Sequence, residues 1–132
     1  FYITGLLFEN ASEIYSLARA LRAGRGKDIN LEKSLVLYLR AAKKGHAKAQ
    51  YFSGLMYAEG HGTAKDFEKA EHWLRRAVQN NDPDAKAYLG YLLEFGIGLD
   101  KDLVEARQFY HEAAKAGQPW AQERLSTISL GK

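Results

Sequence analysis

The chain has 132 residues, 46% of them apolar, with two prolines and a formal net charge of +3, which suits one ordinary domain or three to four short repeats and argues against disorder. It has no cysteine, so disulfide staples and cysteine-ligated zinc or iron–sulfur clusters are excluded, and redox chemistry points to no compartment. No run of 18 apolar residues occurs, and no charged segment leads into an apolar one near Phe1, so neither a transmembrane helix nor an intact signal peptide is expected.

The segment Phe1–Phe8 lines up 36 residues before Leu37-Tyr38-Leu39-Arg40-Ala41-Ala42 and reads as the tail of a helix whose partner is missing. Residues 1–10 are therefore taken as the end of a truncated preceding unit, and the chain as a segment of a longer protein. An incomplete unit leaves apolar surface to be covered by something else.

The period that sets this alignment is carried by Gly-x-Gly, which recurs at Gly24-Arg25-Gly26, Gly60-His61-Gly62 and Gly96-Ile97-Gly98. Other slots repeat with it: Leu37, Trp73 and Phe109; Tyr38, Leu74 and Tyr110; Ala41, Ala77 and Ala113; Ser34, Ala70 and Ala106; Gly45, Asn81 and Gly117; and the prolines Pro83 and Pro119. A fixed period of this size is the mark of a stacked-repeat protein, in which each unit packs mainly on its neighbours.

The first full unit, 11–48, is basic, with nine Lys/Arg against three Asp/Glu, whereas residues 49–132 carry ten against twelve. A solvated face accounts for this imbalance, and docking of an acidic partner at that end is the sharper alternative. The second unit, 49–84, shows the internal design best. Ala49–Glu59 is apolar at three-to-four spacing, as a helix requires. Gly60 suits a left-handed helix end, and Gly62 is expected to keep the following loop flexible. Asp66 is placed to cap a second helix over Phe67–Gln79, as Asn30 and Asp102 do in the other units. In the third unit, 85–118, Glu105 lies three residues past Asp102 and completes a capping box. Pro83 and Pro119 fall in the first turn of a helix, where the missing N–H costs nothing. Residues 119–132 then form a capping helix, to about Ile128, and a tail. Small residues at Gly54, Gly90, Ala70, Ala106, Ala77 and Ala113 admit close helix approach, with Trp73, Phe109, Tyr57 and Leu93 filling the remaining space. The expectation is a single all-α repeat domain, an α-solenoid of antiparallel helix pairs with about seven helices.

These residues resemble the Sel1-like repeat family, within the tetratricopeptide-like superfamily. The third unit matches its pattern with Ala85, Leu89, Gly90, Leu93, Gly96, Gly98, Asp102, Ala106, Phe109, Tyr110, Ala113, Ala114 and Gly117. The second matches with Ala49, Gly54, Tyr57, Gly60, Gly62, Asp66, Lys69, Ala70, Trp73 and Ala77, and departs at Ser53 and Asn81. The first is weaker, with Glu13, Ala18 and Asn30 off pattern. The resemblance implies a right-handed superhelix and an adaptor or scaffold that binds proteins or peptides, as in bacterial envelope, secretion and signalling assemblies and in eukaryotic quality control. Cysteine-rich members of the family use a disulfide in each repeat, and this chain departs from them.

In helix-pair solenoids the first helix of each unit lines the concave face. With Ala85, Leu89 and Leu93 turned inward, the opposite side of these helices carries Tyr15, Arg19 and Arg22, then Tyr51, Leu55 and Ala58, then Ala87, Tyr91 and Glu94, with Phe95 beside them. Tyrosine and arginine are the residue types enriched at binding hot spots. Tyr15, Arg19, Arg22, Tyr51, Leu55, Tyr91, Glu94 and Phe95 are therefore the predicted protein-binding residues. Packing of the tyrosines against the adjacent unit is the competing explanation.

Chemistry finds little support. No two of His46, His61, His72 and His111 are spaced as metal ligands on a helix, and no metal or cofactor is expected. Gly24-Arg25-Gly26-Lys27 follows a helix rather than a strand and reads as a helix-ending turn, not a phosphate loop. No catalytic residues stand out from the repeat pattern, and the chain is read as not an enzyme. The sequence pI of about 9.1 invites nucleic-acid binding, but the basic residues cluster in one unit and form no continuous stripe, so no nucleic-acid partner is expected. The leading expectation is a protein or peptide partner on the concave face. Binding of a small molecule or glycan fragment, and self-association through the truncated N-terminal end, are the alternatives. Bacterial periplasm and cytoplasm are both compatible with the sequence.

Overall fold

The computed structural model describes residues 10–26 and 28–128. The segment 1–8, read above as a helix tail, lies outside them. Seven helices follow in order: α1 (Ala11–Ala23), α2 (Leu31–Lys43), α3 (Ala47–Glu59), α4 (Phe67–Gln79), α5 (Pro83–Phe95), α6 (Leu103–Lys115) and α7 (Pro119–Thr127). The described residues contain no strand. Contacts run between sequence neighbours, most heavily within the pairs α1/α2, α3/α4 and α5/α6. The architecture is an all-α solenoid of stacked helix pairs.

The period fixes both kinds of helix start. Asn30, Asp66 and Asp102 cap the second helices, each accepting from the backbone N–H three residues on at 3.0–3.1 Å. The first helices have their own series at the same spacing. Asn10, His46, Asp82 and Gln118 each present a side-chain acceptor to the first turn, at 2.7–3.1 Å. His46 is why α3 begins at Ala47, two residues before the sequence pattern becomes visible.

The capping box at Asp102 forms only in part. Glu105 gives its carboxylate to Arg75 of α4 at 3.1 Å, and the Asp102 N–H donates instead to the Leu93 carbonyl at 2.9 Å. Asn30 and Asp66 donate to Leu21 and Tyr57 in the same way. The turn between the two helices of a unit has already used the N–H that a capping box would satisfy.

Gly60 ends α3 in the left-handed conformation expected, φ 74°, its N–H donating to the Met56 carbonyl at 2.8 Å. Gly62 does a different job from the one the sequence suggested. It is held at φ 77° against the Leu31 backbone of the preceding unit, whose carbonyl carbon would lie 2.7 Å from an added Cβ. Its equivalent Gly98 faces the Phe67 ring. The second glycine is a contact between units rather than a source of flexibility. Asn81 stands in a glycine slot and adopts φ 61°, the left-handed region that asparagine tolerates better than most residues.

The core follows the small-residue slots. Ala41, Ala42, Ala49, Ala70, Ala77, Ala85, Ala106, Ala113 and Ala121 are fully buried. Gly54 and Gly90 let Leu74 and Tyr110 approach so closely that an added Cβ would lie within 2.6 and 2.8 Å of them. Trp73, Tyr57 and Leu93 are buried as expected, while Phe109 is only half-buried. The buried Gln50 is satisfied on both sides: it donates to the Ala42 carbonyl at 3.1 Å and accepts from Asn80 at 2.8 Å.

Candidate protein-binding face

The first helices α1, α3, α5 and α7 meet through their side chains on one face, and aromatic rings run across it from unit to unit. Tyr15 stacks on His46 at 4.4 Å and leans on Tyr38 and Phe52 at 5.8 and 6.2 Å. Phe52 meets Tyr51 at 5.0 Å, and Tyr51 meets Tyr88 edge-on at 6.4 Å. Tyr88 stacks on Tyr91 at 6.0 Å, and Tyr91 contacts Phe95 at 5.5 Å and Trp120 at 5.8 Å. Apart from the closer Tyr15–His46 stack, each separation lies in the range where aromatic pairs attract beyond simple burial.

Tyr51, Tyr88, Tyr91 and Trp120 line a groove of about 380 Å³ together with Glu59, Asp84, Ala87 and Gln118. That volume falls within the usual range of ligand sites. Lys48 borders it, its ammonium 2.6 Å from Asp82, 2.8 Å from Asp84 and 5.2 Å from the Tyr51 ring centre. Gln118 donates to Asp84 at 3.2 Å, and the Tyr88 hydroxyl donates to Glu59 at 3.2 Å. Burial alone would raise the Asp84 carboxyl, but hydrogen bonds from Lys48 and Gln118 outweigh it and hold the group below the ordinary carboxylate range. Burial, with the nearby Asp84 charge, pushes the Tyr51 hydroxyl up to about 12. Burial and the Glu59 carboxylate raise Tyr88 as well.

The eight residues predicted from sequence divide into three groups. Tyr15, Arg19 and Arg22 are brought together at the first unit. Arg19 lies 5.7 Å over Tyr15, and Arg22 lies 4.4 Å over Phe52 and donates to the Tyr38 hydroxyl at 3.3 Å. Neither arginine makes an ion pair among the described residues. Tyr51 and Tyr91 reach one groove through Tyr88, with Phe95 exposed beside Tyr91 and Leu55 half-buried on the same helix as Tyr51.

Glu94 is the correction. It is 5% exposed, accepts from the Tyr110 hydroxyl at 2.8 Å, and forms an ion pair with Arg124 of α7. Arg124 holds its carboxyl below the ordinary range against the cost of burial. Glu94 thus joins the last helix to the third unit and presents nothing to a ligand. Ala58 and Ala87, from the same stripe, are also buried.

His46, Lys48, Phe52, Glu59, Asp84, Tyr88 and Trp120 were not singled out from sequence. Two slots would have found most of them. Lys48, Asp84 and Trp120 share one position of the period, and Phe52, Tyr88 and Arg124 share another. Neither slot carries a residue of the repeat framework.

No helix among the described residues is long and apolar enough to cross a membrane. The family model for the Sel1 repeat matches residues 14–46, 47–82 and 83–118. None of the curated proteins matches the chain. Among solved structures, a Sel1 repeat protein from Oxalobacter formigenes is 34% identical with a TM-score of 0.84, over 88% of this chain and 47% of that one. A protective antigen of uropathogenic Escherichia coli displaying an SLR fold is 30% identical with a TM-score of 0.83, over 87% of this chain and 25% of its own. The chain thus spans about half and a quarter of the length of these two relatives. The Helicobacter pylori cysteine rich protein B shares the fold at 23% identity and a TM-score of 0.70, over 87% of this chain and 92% of that one.

Proposed function

The chain belongs to the Sel1 repeat family, and we propose that it binds a peptide or protein segment along the concave face formed by α1, α3, α5 and α7. Sel1 repeat proteins are in general protein–protein interaction modules, and typically scaffolds rather than enzymes. The observation that carries the reading is the aromatic run from Tyr15 to Trp120. Rings held half-buried by one another offer large contact area while losing little conformational entropy on binding. Tyr91 and Trp120 are the best placed to act as anchors, because both line the groove and touch each other.

The test is photocrosslinking from two positions. A photoreactive residue at Tyr91 is expected to capture a partner protein, and one at Val104, 76% exposed on α6, is not. Capture from Val104 alone would overturn the proposal. Crosslinks only to a second copy of the chain would favour the self-associating array.

A further inference from the structure

We propose that the groove between Tyr51, Tyr88, Tyr91 and Trp120 receives a lysine or arginine side chain of the bound peptide; this rests on the peptide-binding reading above. The argument begins with the cations of the chain itself. Along the aromatic run, Arg19 lies over Tyr15, Arg22 over Phe52, Lys48 over Tyr51 and Arg124 over Phe95, at 4.4–5.7 Å from the ring centres. These four rings therefore carry a cation supplied by the protein. Among the described residues Tyr88, Tyr91 and Trp120 have none, and these three rings line the groove.

The charge of the groove has the matching sign. Glu59 and Asp84 are both in its wall. Asp84 shares Lys48 with Asp82, so one ammonium stands against two carboxylates. Glu59 meets the Tyr88 hydroxyl and His61, at 3.2 and 3.7 Å, and no lysine or arginine among the described residues. Lys48 shows the required chemistry within the same face: an ammonium against a tyrosine ring with its charge matched by Asp84. A basic side chain entering the groove would repeat that arrangement against Tyr88, Tyr91 and Glu59. An acidic side chain would meet two carboxylates, and an aliphatic one would leave Glu59 without a counter-charge. Cation–π attraction strengthens as the site is desolvated, and half-buried rings provide that setting.

The experiment starts from displayed random 12-residue peptides selected on the 132-residue protein. The selected peptides are synthesised with a fluorescent label and titrated by anisotropy, a signal that does not depend on Trp120 and so reads every variant alike. The proposal expects a recurrent lysine or arginine. Its replacement by norleucine or citrulline should weaken binding about tenfold, and Glu59→Gln should erase most of that difference. Glu59 is 42% exposed, so its substitution leaves the fold intact. Peptides that lose affinity with Tyr91→Ala but carry no basic residue, or ignore Glu59→Gln, would overturn the cation proposal and leave concave-face binding standing. Peptides indifferent to both Tyr91→Ala and Trp120→Ala would overturn both.

Discussion

The backbone of Gly98 lies against the ring of Phe67, one unit earlier, at a place where a Cβ would overlap the nearest ring carbon. The same slot one period back sets Gly62 against Leu31. Unit-to-unit spacing is thus fixed by a glycine with no room for a methyl group and a left-handed φ of 73°. Gly98→Ala should cost about 2–4 kcal/mol, combining backbone strain with overpacking. Gly26→Ala, with the same backbone sign and nothing within 4 Å, should cost only about 1 kcal/mol. Urea unfolding of the two variants measures the difference, and equal losses would show that the close approach contributes nothing.

His46 makes the stack sensitive to pH. Its Nδ1 accepts from the Ala49 N–H at 3.1 Å and so must be unprotonated, and burial lowers its pKa further. The unfolded chain then takes up the proton more readily than the folded one. The stabilisation is fully present above about pH 6.5 and is lost as pH falls from there through the folded value. His46→Gln keeps a cap, as Gln118 does in the same slot, but removes the titration. Between pH 7 and 5 the original protein should lose up to about 1 kcal/mol more than the variant, the value of one N-cap. Thermal melts at the two pH values provide the comparison.

Arg124→Ala would leave the Glu94 carboxylate buried with only the Tyr110 hydroxyl. A loss of about 2–3 kcal/mol is expected, and removing Glu94 as well should restore part of it. The depressed Glu94 pKa gives stability that is present above about pH 4.3 and lost as pH falls through the folded value. That acid-side slope should flatten in Arg124→Ala. Chemical denaturation of both single variants and the double variant gives the coupling.

Ser53 is the opposite case. It stands where the third unit has the buried Leu89, and its hydroxyl is buried without a hydrogen-bond partner among the described residues. Ser53→Ala should leave stability unchanged or raise it by about 1 kcal/mol. A clear drop in melting temperature would show that the hydroxyl has a partner after all.

The fold was legible because its constraints are periodic. Caps at Asn30, Asp66 and Asp102, left-handed glycines and small core residues all recur at the same slots, and each has a local physical cause. What escaped was set by contacts between units. Glu105 turned to Arg75 instead of its own helix start, and Glu94, at a slot expected to face solvent, was drawn inward by Arg124. The candidate face was half legible. Tyr51 and Tyr91 fell on the predicted stripe, but Tyr88 and Trp120 reach the same groove from neighbouring slots because the side chains of adjacent units interleave. A single helix wheel does not contain that information.

The central claim is that partners are held by the first helices of the stack. Hydrogen exchange of the protein with and without a saturating selected peptide tests it most directly. The account predicts slowed exchange in α3 (Ala47–Glu59), α5 (Pro83–Phe95) and the start of α7, with little change in α2, α4 and α6. Protection confined to α2, α4 and α6, with α3 and α5 unchanged, would contradict it.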